Sequence, residues 1–385
     1  MPSLARFLVV LAAAIAAAGS IGKLVPHIGQ LVAGLGISLG AAGFLVSAVM
    51  LPGALAGPLF GALVDRLPPR RVALGGLTLQ GLASFGLVFA SDFYAIALLR
   101  LAEGIGYALT VVAGTLLVVS VSTPRRLTLA LATWSSFAPL GFALGQLLAS
   151  QASYMAIGIG HALVLATVAL VLLLTIPPGA AAQKRVSARA NLVQALRHPP
   201  ALRTALAFGC VAGLLLGAVA VAPLALAPST GLTIAEAARL TALAALPGIA
   251  GRFVSGWLLG KAAPLPLFAA AAALGLAFLP FALGLLVPLG AALGAFAAFQ
   301  ICMGALAGIL SAMLPLVAPS PAHLGTVTGL ANQAITAGNL LGPPLALGVF
   351  AAAGTPGTIA VLVAALAASF WMVLTGRPAA RSDSR

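Results

Sequence analysis

Twelve apolar stretches, each long enough to cross a bilayer, leave this chain few folds other than a bundle of membrane-spanning helices. A span needs about 20 predominantly apolar residues. Read between turn and charge signals, such runs fall at 6–31, 40–64, 72–91, 93–121, 127–150, 154–176, 203–227, 234–259, 264–287, 289–317, 324–350 and 356–376. Only 6% of the 385 residues are charged, where a soluble domain carries about a quarter. So few charges cannot dress a surface for water. A closed strand barrel is excluded because the runs are continuous rather than alternating. The expected fold class is an all-α polytopic membrane protein with twelve transmembrane helices.

The cations give the chain a direction. With the N-terminus inside, the inner segments hold Arg6; Arg66, Arg70 and Arg71; Arg125 and Arg126; Lys184, Arg185, Arg189, Arg197 and Arg203; Lys261; and Arg377, Arg381 and Arg385. The outer loops hold none, and Lys23, Arg100, Arg239 and Arg252 fall inside proposed spans. That asymmetry predicts cytoplasmic termini in a cell inner membrane. It also accounts for the net charge of +14 without nucleic acid as a partner. The apolar character that starts near Arg6 continues past Gly19 to about Val32, which favours an uncleaved first helix over a signal peptide. Cys210 and Cys302 lie in separate runs and match no metal-ligand spacing, so neither a metal nor another cofactor is expected.

The longest polar stretch, 177–203, divides the chain into an N-terminal half at 1–176 and a C-terminal half at 204–376, with a tail at 377–385. The segment Asn191 to Arg197 within it carries a short amphipathic pattern suited to the membrane surface. Weak repeats relate the halves. Gly61, Leu63 and Arg66 recur as Gly256, Leu258 and Lys261, while Arg100, Glu103 and Gly104 align with Gln300, Met303 and Gly304. In the first of these repeats the acid, Asp65, is lost in the second copy.

The stretch Gly61, Leu63, Asp65, Arg66, Arg70, Arg71 resembles the signature between the second and third helices of the major facilitator superfamily. Pro68 and Pro69 replace a glycine and an arginine of that signature and stiffen the loop. Arg100, Glu103, Gly104 and Gly106 look like its fourth-helix signature, with Glu in place of Gln. Gly141 with Gly145, and more closely Gly338 with Gly342 and Pro343, are similar to its fifth-helix antiporter signature, and no antiport is inferred from them. The resemblance implies two six-helix halves, a substrate site near the midplane and alternating access. It also implies a cytoplasmic gate at Gly61, Asp65, Arg66, Arg70 and Arg71, with Arg252 and Lys261 as the second copy.

Polar residues inside the membrane are the best functional evidence, because a charge at mid-membrane costs about 2.5–3.5 kcal/mol on insertion scales. Lys23, His27 and Gln30, at i, i+4 and i+7 of the first helix, read as an anion-attracting wall of a transport cavity; the alternative is a snorkelling lysine. Arg100 and Glu103 form an i, i+3 pair, which makes them proton-coupling candidates or a static pair. Tyr107 continues their stripe. Glu236 and Arg239 repeat that spacing, as an interfacial ion pair or with Arg239 facing the cavity. Asn332, Thr336 and Asn339 form a stripe in the eleventh span, as substrate contacts or packing hydrogen bonds. Gln300 in the tenth is a weaker candidate.

No nucleotide-binding loop and no His-Glu-x-x-His pattern occurs in the sequence. The expectation is a monomeric secondary transporter rather than an enzyme, driven by an ion gradient, with protons as the coupling ion. Its substrate would be a small organic or inorganic anion. Proton-driven export of hydrophobic drugs or metabolites is the alternative. A membrane receptor, an assembly partner and an intramembrane enzyme are the readings from other classes.

Overall fold

The computed structural model describes residues 3–178, 193–284 and 287–376. Lys184, Arg185, Arg189, Arg377, Arg381 and Arg385, most of the 177–203 linker, and Asn191 and Leu192 of the amphipathic pattern lie outside them. Among the described residues the regular structure is entirely helical. The first half of the chain forms α1 (Ser3–Gly22), α2 (Ile28–Leu35), α3 (Leu39–Ser47), α4 (Leu51–Val64), α5 (Pro69–Gly86), α6 (Phe93–Val121), α7 (Pro124–Trp134), α8 (Phe137–Ser150) and α9 (Tyr154–Thr175). The second forms α10 (Pro199–Thr230), α11 (Ile234–Ala245), α12 (Gly248–Leu258), α13 (Pro264–Ala282), α14 (Leu289–Val317) and α15 (Leu324–Thr375).

Ten of the described helical stretches are long and apolar enough to cross a membrane, or eleven when α7 and α8, bent by 40°, count as one broken span. The tenth, Pro321–Thr375, is 55 residues long. It breaks at Gly354, whose φ of 61° is open to glycine at little cost. That break separates the two stretches read from the sequence as 324–350 and 356–376, and restores the twelve expected spans.

Two other spans are broken for legible reasons. Pro26 has no N–H to offer the Gly22 carbonyl and its ring opposes that carbonyl, so α1 stops at Gly22. A 3₁₀ turn, Val25–His27, then leads into α2. The second span changes to 3₁₀ geometry over Ala48–Met50, just before Pro52. Both breaks leave backbone carbonyls without helical partners.

The chain divides into two compact units. The first comprises Met1–Leu127, Ser136–Ala195 and Ser320–Gln333; the second comprises Thr128–Ser135, Leu196–Pro319 and Ala334–Arg385. Glycines set helix spacing inside each. In the first unit, a methyl group at Gly141 would collide with the Ile15 carbonyl oxygen, and one at Gly145 with that of Gly19. In the second, Gly338 stands in the same way on the Gly209 carbonyl and Gly342 on that of Gly213. The two glycine pairs that resemble an antiporter signature are therefore contact faces, α8 on α1 and α15 on α10. This is small-residue packing of the kind that lets membrane helices touch backbone to backbone.

Gly145→Ala should cost about 1–3 kcal/mol through overpacking of α1 against α8. Gly160→Ala on α9, where nothing stands within 4 Å, should be neutral or gain up to about 1 kcal/mol of helix propensity. Thermal unfolding in detergent compares the two, and equal effects would contradict the close contact.

Candidate functional site

The break after Gly22 puts Lys23 at the end of α1, where its side chain turns inward and is 1% exposed. Three neighbours meet its ammonium. Nζ donates to Ser84 Oγ on α5 at 2.5 Å, lies 3.2 Å from His161 Nδ1 on α9, and pairs with Glu103 Oε1 on α6. An ammonium has three N–H donors, so this one is saturated. His161 Nε2 lies 2.9 Å from the Ala16 carbonyl. A carbonyl can only accept, so Nε2 carries the ring proton and Nδ1 is left as acceptor for Lys23. Ser84 then donates its hydroxyl to the Gly158 carbonyl at 3.3 Å.

The second oxygen of Glu103 takes Arg100 Nη1 at 2.5 Å. Arg100 is fully buried and also serves the carbonyls that the two helix breaks release. Its Nη1 reaches Ser20 O at 2.8 Å, Nε reaches Leu45 O at 2.9 Å, and Nη2 reaches Val46 O at 2.8 Å. Gln80 Nε2 closes the layer, donating to Ala17 O and Ser20 Oγ, each at 2.8 Å. The α5–α6 contact that aligns Ser84 with Glu103 is again a glycine crossing, Gly76 against Gly106 and Thr110. The site is thus a dry cluster of two cations sharing one carboxylate. Removing a partner from such a pair leaves a buried charge uncompensated.

A second constellation lies at the sequence signature. Asp65 caps the start of α15: Oδ1 accepts the N–H of Gly325 at 2.7 Å, while Oδ2 accepts that of Thr326 at 2.9 Å and the Thr326 hydroxyl. A carboxylate there meets both unsatisfied N–H groups and the positive end of the helix dipole. Gly61 makes the approach possible, since a methyl group on it would strike the Gly325 carbonyl. Arg70 Nη2 donates to Leu173 O at 2.5 Å, and Arg66 and Arg71 are exposed.

The sequence matches the profile of the Major Facilitator Superfamily over residues 7–343. The chain belongs to the major facilitator superfamily. It is a multi-pass membrane protein from a superfamily of transporters rather than enzymes. Among solved structures, it is similar to the human organic anion transporter MFSD10, at 18% identity and a TM-score of 0.77 over 97% of this chain and 100% of that one. A bacterial homologue of the iron transporter ferroportin, in an outward-facing state, gives 16% and 0.79 over 98% and 99%. The E. coli fucose:proton symporter FucP gives 18% and 0.75 over 98% and 100%. These likenesses show the fold. No curated protein matches the sequence.

Within this superfamily fold, the sequence-derived site residues do not all meet. Lys23, Arg100 and Glu103 come together. His27 and Gln30 do not join them, because the helix break ends the stripe. His27 Nδ1 instead lies 3.1 Å from Gln30 Oε1, and its ring packs edge-on against Tyr154. The snorkelling alternative for Lys23 is contradicted by its burial. Tyr107 is buried one turn beyond Glu103. Gln300 is buried on α14, and Asn332 and Thr336 are buried one turn apart on α15. Arg252 is buried on α12. Lys261 stands 3.5 Å over the Trp257 ring.

Glu236 is a correction. It is exposed and forms a capping box with Thr233, accepting the Thr233 N–H at 2.9 Å, instead of an ion pair with Arg239. Arg239 is exposed too. Ser84 and His161 are members of the cluster that the sequence reading missed. A histidine in the middle of the apolar run 154–176 was a signal of the same kind that singled out Lys23.

Glu103→Gln should destabilise the protein by about 3–5 kcal/mol, and adding Lys23→Met should recover part of that loss. Unfolding of the two single variants and the double variant in one detergent tests this; strict additivity would show that the pair does not interact. Asp65→Asn should cost about 1 kcal/mol by removing charge from the α15 terminus. Its unfolding midpoint, measured beside that of Arg71→Gln as a surface control, checks this.

Proposed function

We propose that the chain is a secondary active transporter that carries a small organic or inorganic anion by alternating access, coupled to protons. The observation that supports this best is the sharing of Glu103 between Lys23 and Arg100. Among the described residues Glu103 is the one buried acid. Protonating it leaves the Lys23 ammonium without counter-charge in an apolar bundle. That state is costly unless an anion arrives to replace the carboxylate. Proton and anion then enter together and leave together, which is the logic of symport. Asp65, Arg66, Arg70 and Arg71 with Gly61, and Arg252 and Lys261 in the second copy, act as the cytoplasmic gate. Tyr107, Gln300, Asn332 and Thr336, with His27 and Gln30, complete the substrate-facing set. Two of the similar structures, an organic anion transporter and a fucose:proton symporter, are in keeping with this class. The cation asymmetry of the loops supports an inner (plasma) membrane with both termini cytoplasmic.

One observation favours a second reading, proton-driven export of hydrophobic drugs or metabolites. All three Lys23 donors are engaged, so in that reading the cluster handles the proton alone.

Proteoliposomes with an imposed pH gradient and a panel of small carboxylates and inorganic anions decide between them. Gradient-driven uptake of one anion should fall at least tenfold in Lys23→Ala. Glu103→Gln should keep anion exchange but lose its dependence on the gradient. Proton-linked movement of lipophilic dyes, unaffected by Lys23→Ala and without anion uptake, would overturn the anion reading in favour of export.

A further inference from the structure

The second unit contains a buried cation that nothing among the described residues neutralises. Arg252 lies in α12, within the span 236–258, and is 7% exposed. Its Nη1 donates to the Gly248 carbonyl at 3.1 Å, one turn back on the same helix. Its Nε is buried with no partner. A carbonyl carries no charge, so the guanidinium keeps its full positive charge in an apolar bundle. Buried charges are normally paired.

The acids can be accounted for one by one. The sequence has five. Asp65 caps α15, Asp92 accepts the N–H groups of Tyr94 and Ala95 at the start of α6, Glu103 is shared by Lys23 and Arg100, and Glu236 sits in its capping box. Asp383 lies outside the described residues. No described carboxylate is left for Arg252.

The internal repeat relates this helix crossing to one in the first unit. In the first unit, a methyl group at Gly104 would strike the Val49 carbonyl; in the second, one at Gly304 would strike that of Gly248 and stand 3.4 Å from Arg252 Nη1. The two glycines hold equivalent crossings. One residue before them, the first unit has Glu103 and the second has Met303. Glu103 in the first copy serves Lys23 and Arg100, whereas its counterpart Met303 turns its thioether methyl to Gly275 on α13. Gln300, one turn before Gly304 on α14, adds a second unmet polar group: it is 2% exposed and its side-chain oxygen has no donor. A half-turn of the amide presents an N–H donor at the same point. The helix faces at this crossing are bare, with Gly248, Gly304 and Gly308 in backbone contact.

We propose that the Arg252 guanidinium, with the Gln300 amide beside the same helix crossing, is an anion subsite of the second unit that takes the carboxylate or oxyanion group of the substrate. This rests on the anion reading above and names the group that meets the charge. A guanidinium fits such a group because its planar N–H fork matches two oxygens at once. Arg252 then meets the substrate as well as standing in the second copy of the gate signature.

The test uses the full chain in lipid nanodiscs at fixed pH, with thermal unfolding followed in benzoate, nitrate and the neutral analogue benzamide. Benzoate or nitrate should raise the melting temperature of the unaltered chain, and benzamide should not. Arg252→Gln should abolish the shift, and Arg252→Lys should weaken half-saturation at least tenfold. Gln300→Leu, which leaves Arg252 in place, should weaken half-saturation at least threefold. Arg252→Lys and Gln300→Leu decide the matter together if Arg252→Gln does not fold. An anion shift that survives unchanged in Arg252→Gln, Arg252→Lys and Gln300→Leu but is lost in Lys23→Ala overturns the subsite and leaves the anion reading standing. No shift with either anion in the unaltered chain overturns both.

Discussion

A carboxylate buried between two cations holds the first unit of this transporter together, and its cost explains why so much of the surrounding structure exists. Placing Lys23, Arg100 and Glu103 away from water is unfavourable unless nearly every donor is met. Five segments contribute to that: the broken end of α1, the 3₁₀ break before α4, and α5, α6 and α9. Arg100 is the joint between charge and backbone, because it satisfies carbonyls that two helix breaks expose while it pairs with Glu103. The breaks and the arginine therefore depend on one another. Without Arg100 the free carbonyls would be orphaned in an apolar layer; without the breaks the guanidinium would lack acceptors.

Close backbone approach is the second condition. Ser84 on α5 and Glu103 on α6 meet the Lys23 ammonium beside a crossing where Gly76 touches Gly106, and α1 packs on α8 through Gly141 and Gly145 in the same way. The same device recurs in the second unit, where α10 and α15 meet at Gly209, Gly213, Gly338 and Gly342. The units share a packing scheme but not a charge scheme. The first closes its buried charges internally, whereas in the second no described carboxylate meets Arg252.

Much of the fold was legible in the sequence, because span length and scarcity of charge are dictated by the bilayer and leave little freedom. The twelve spans follow from that alone. The signature around Asp65 was legible as a motif, although its partner, the N-terminus of α15, lies 260 residues away and no spacing reveals it. The helix break at Pro26 was written in the sequence but overlooked, and with it went the supposed stripe of Lys23, His27 and Gln30. Thr233 followed three residues later by Glu236 is a capping-box pattern, which marks that acid as part of a helix start. Ser84 and His161 were the harder cases. A serine and a histidine on separate apolar helices acquire meaning only when packing brings them to one ammonium, and that is tertiary information.

The central claim is that Glu103 trades Lys23 for a proton when an anion binds. Infrared difference spectroscopy of the protein in lipid, with and without a transported anion, reads this directly, with Glu103→Gln used to assign the band. Anion addition should produce a protonated-carboxyl band that is missing in Glu103→Gln. A carboxylate signal for Glu103 that is identical with and without the anion would contradict the account.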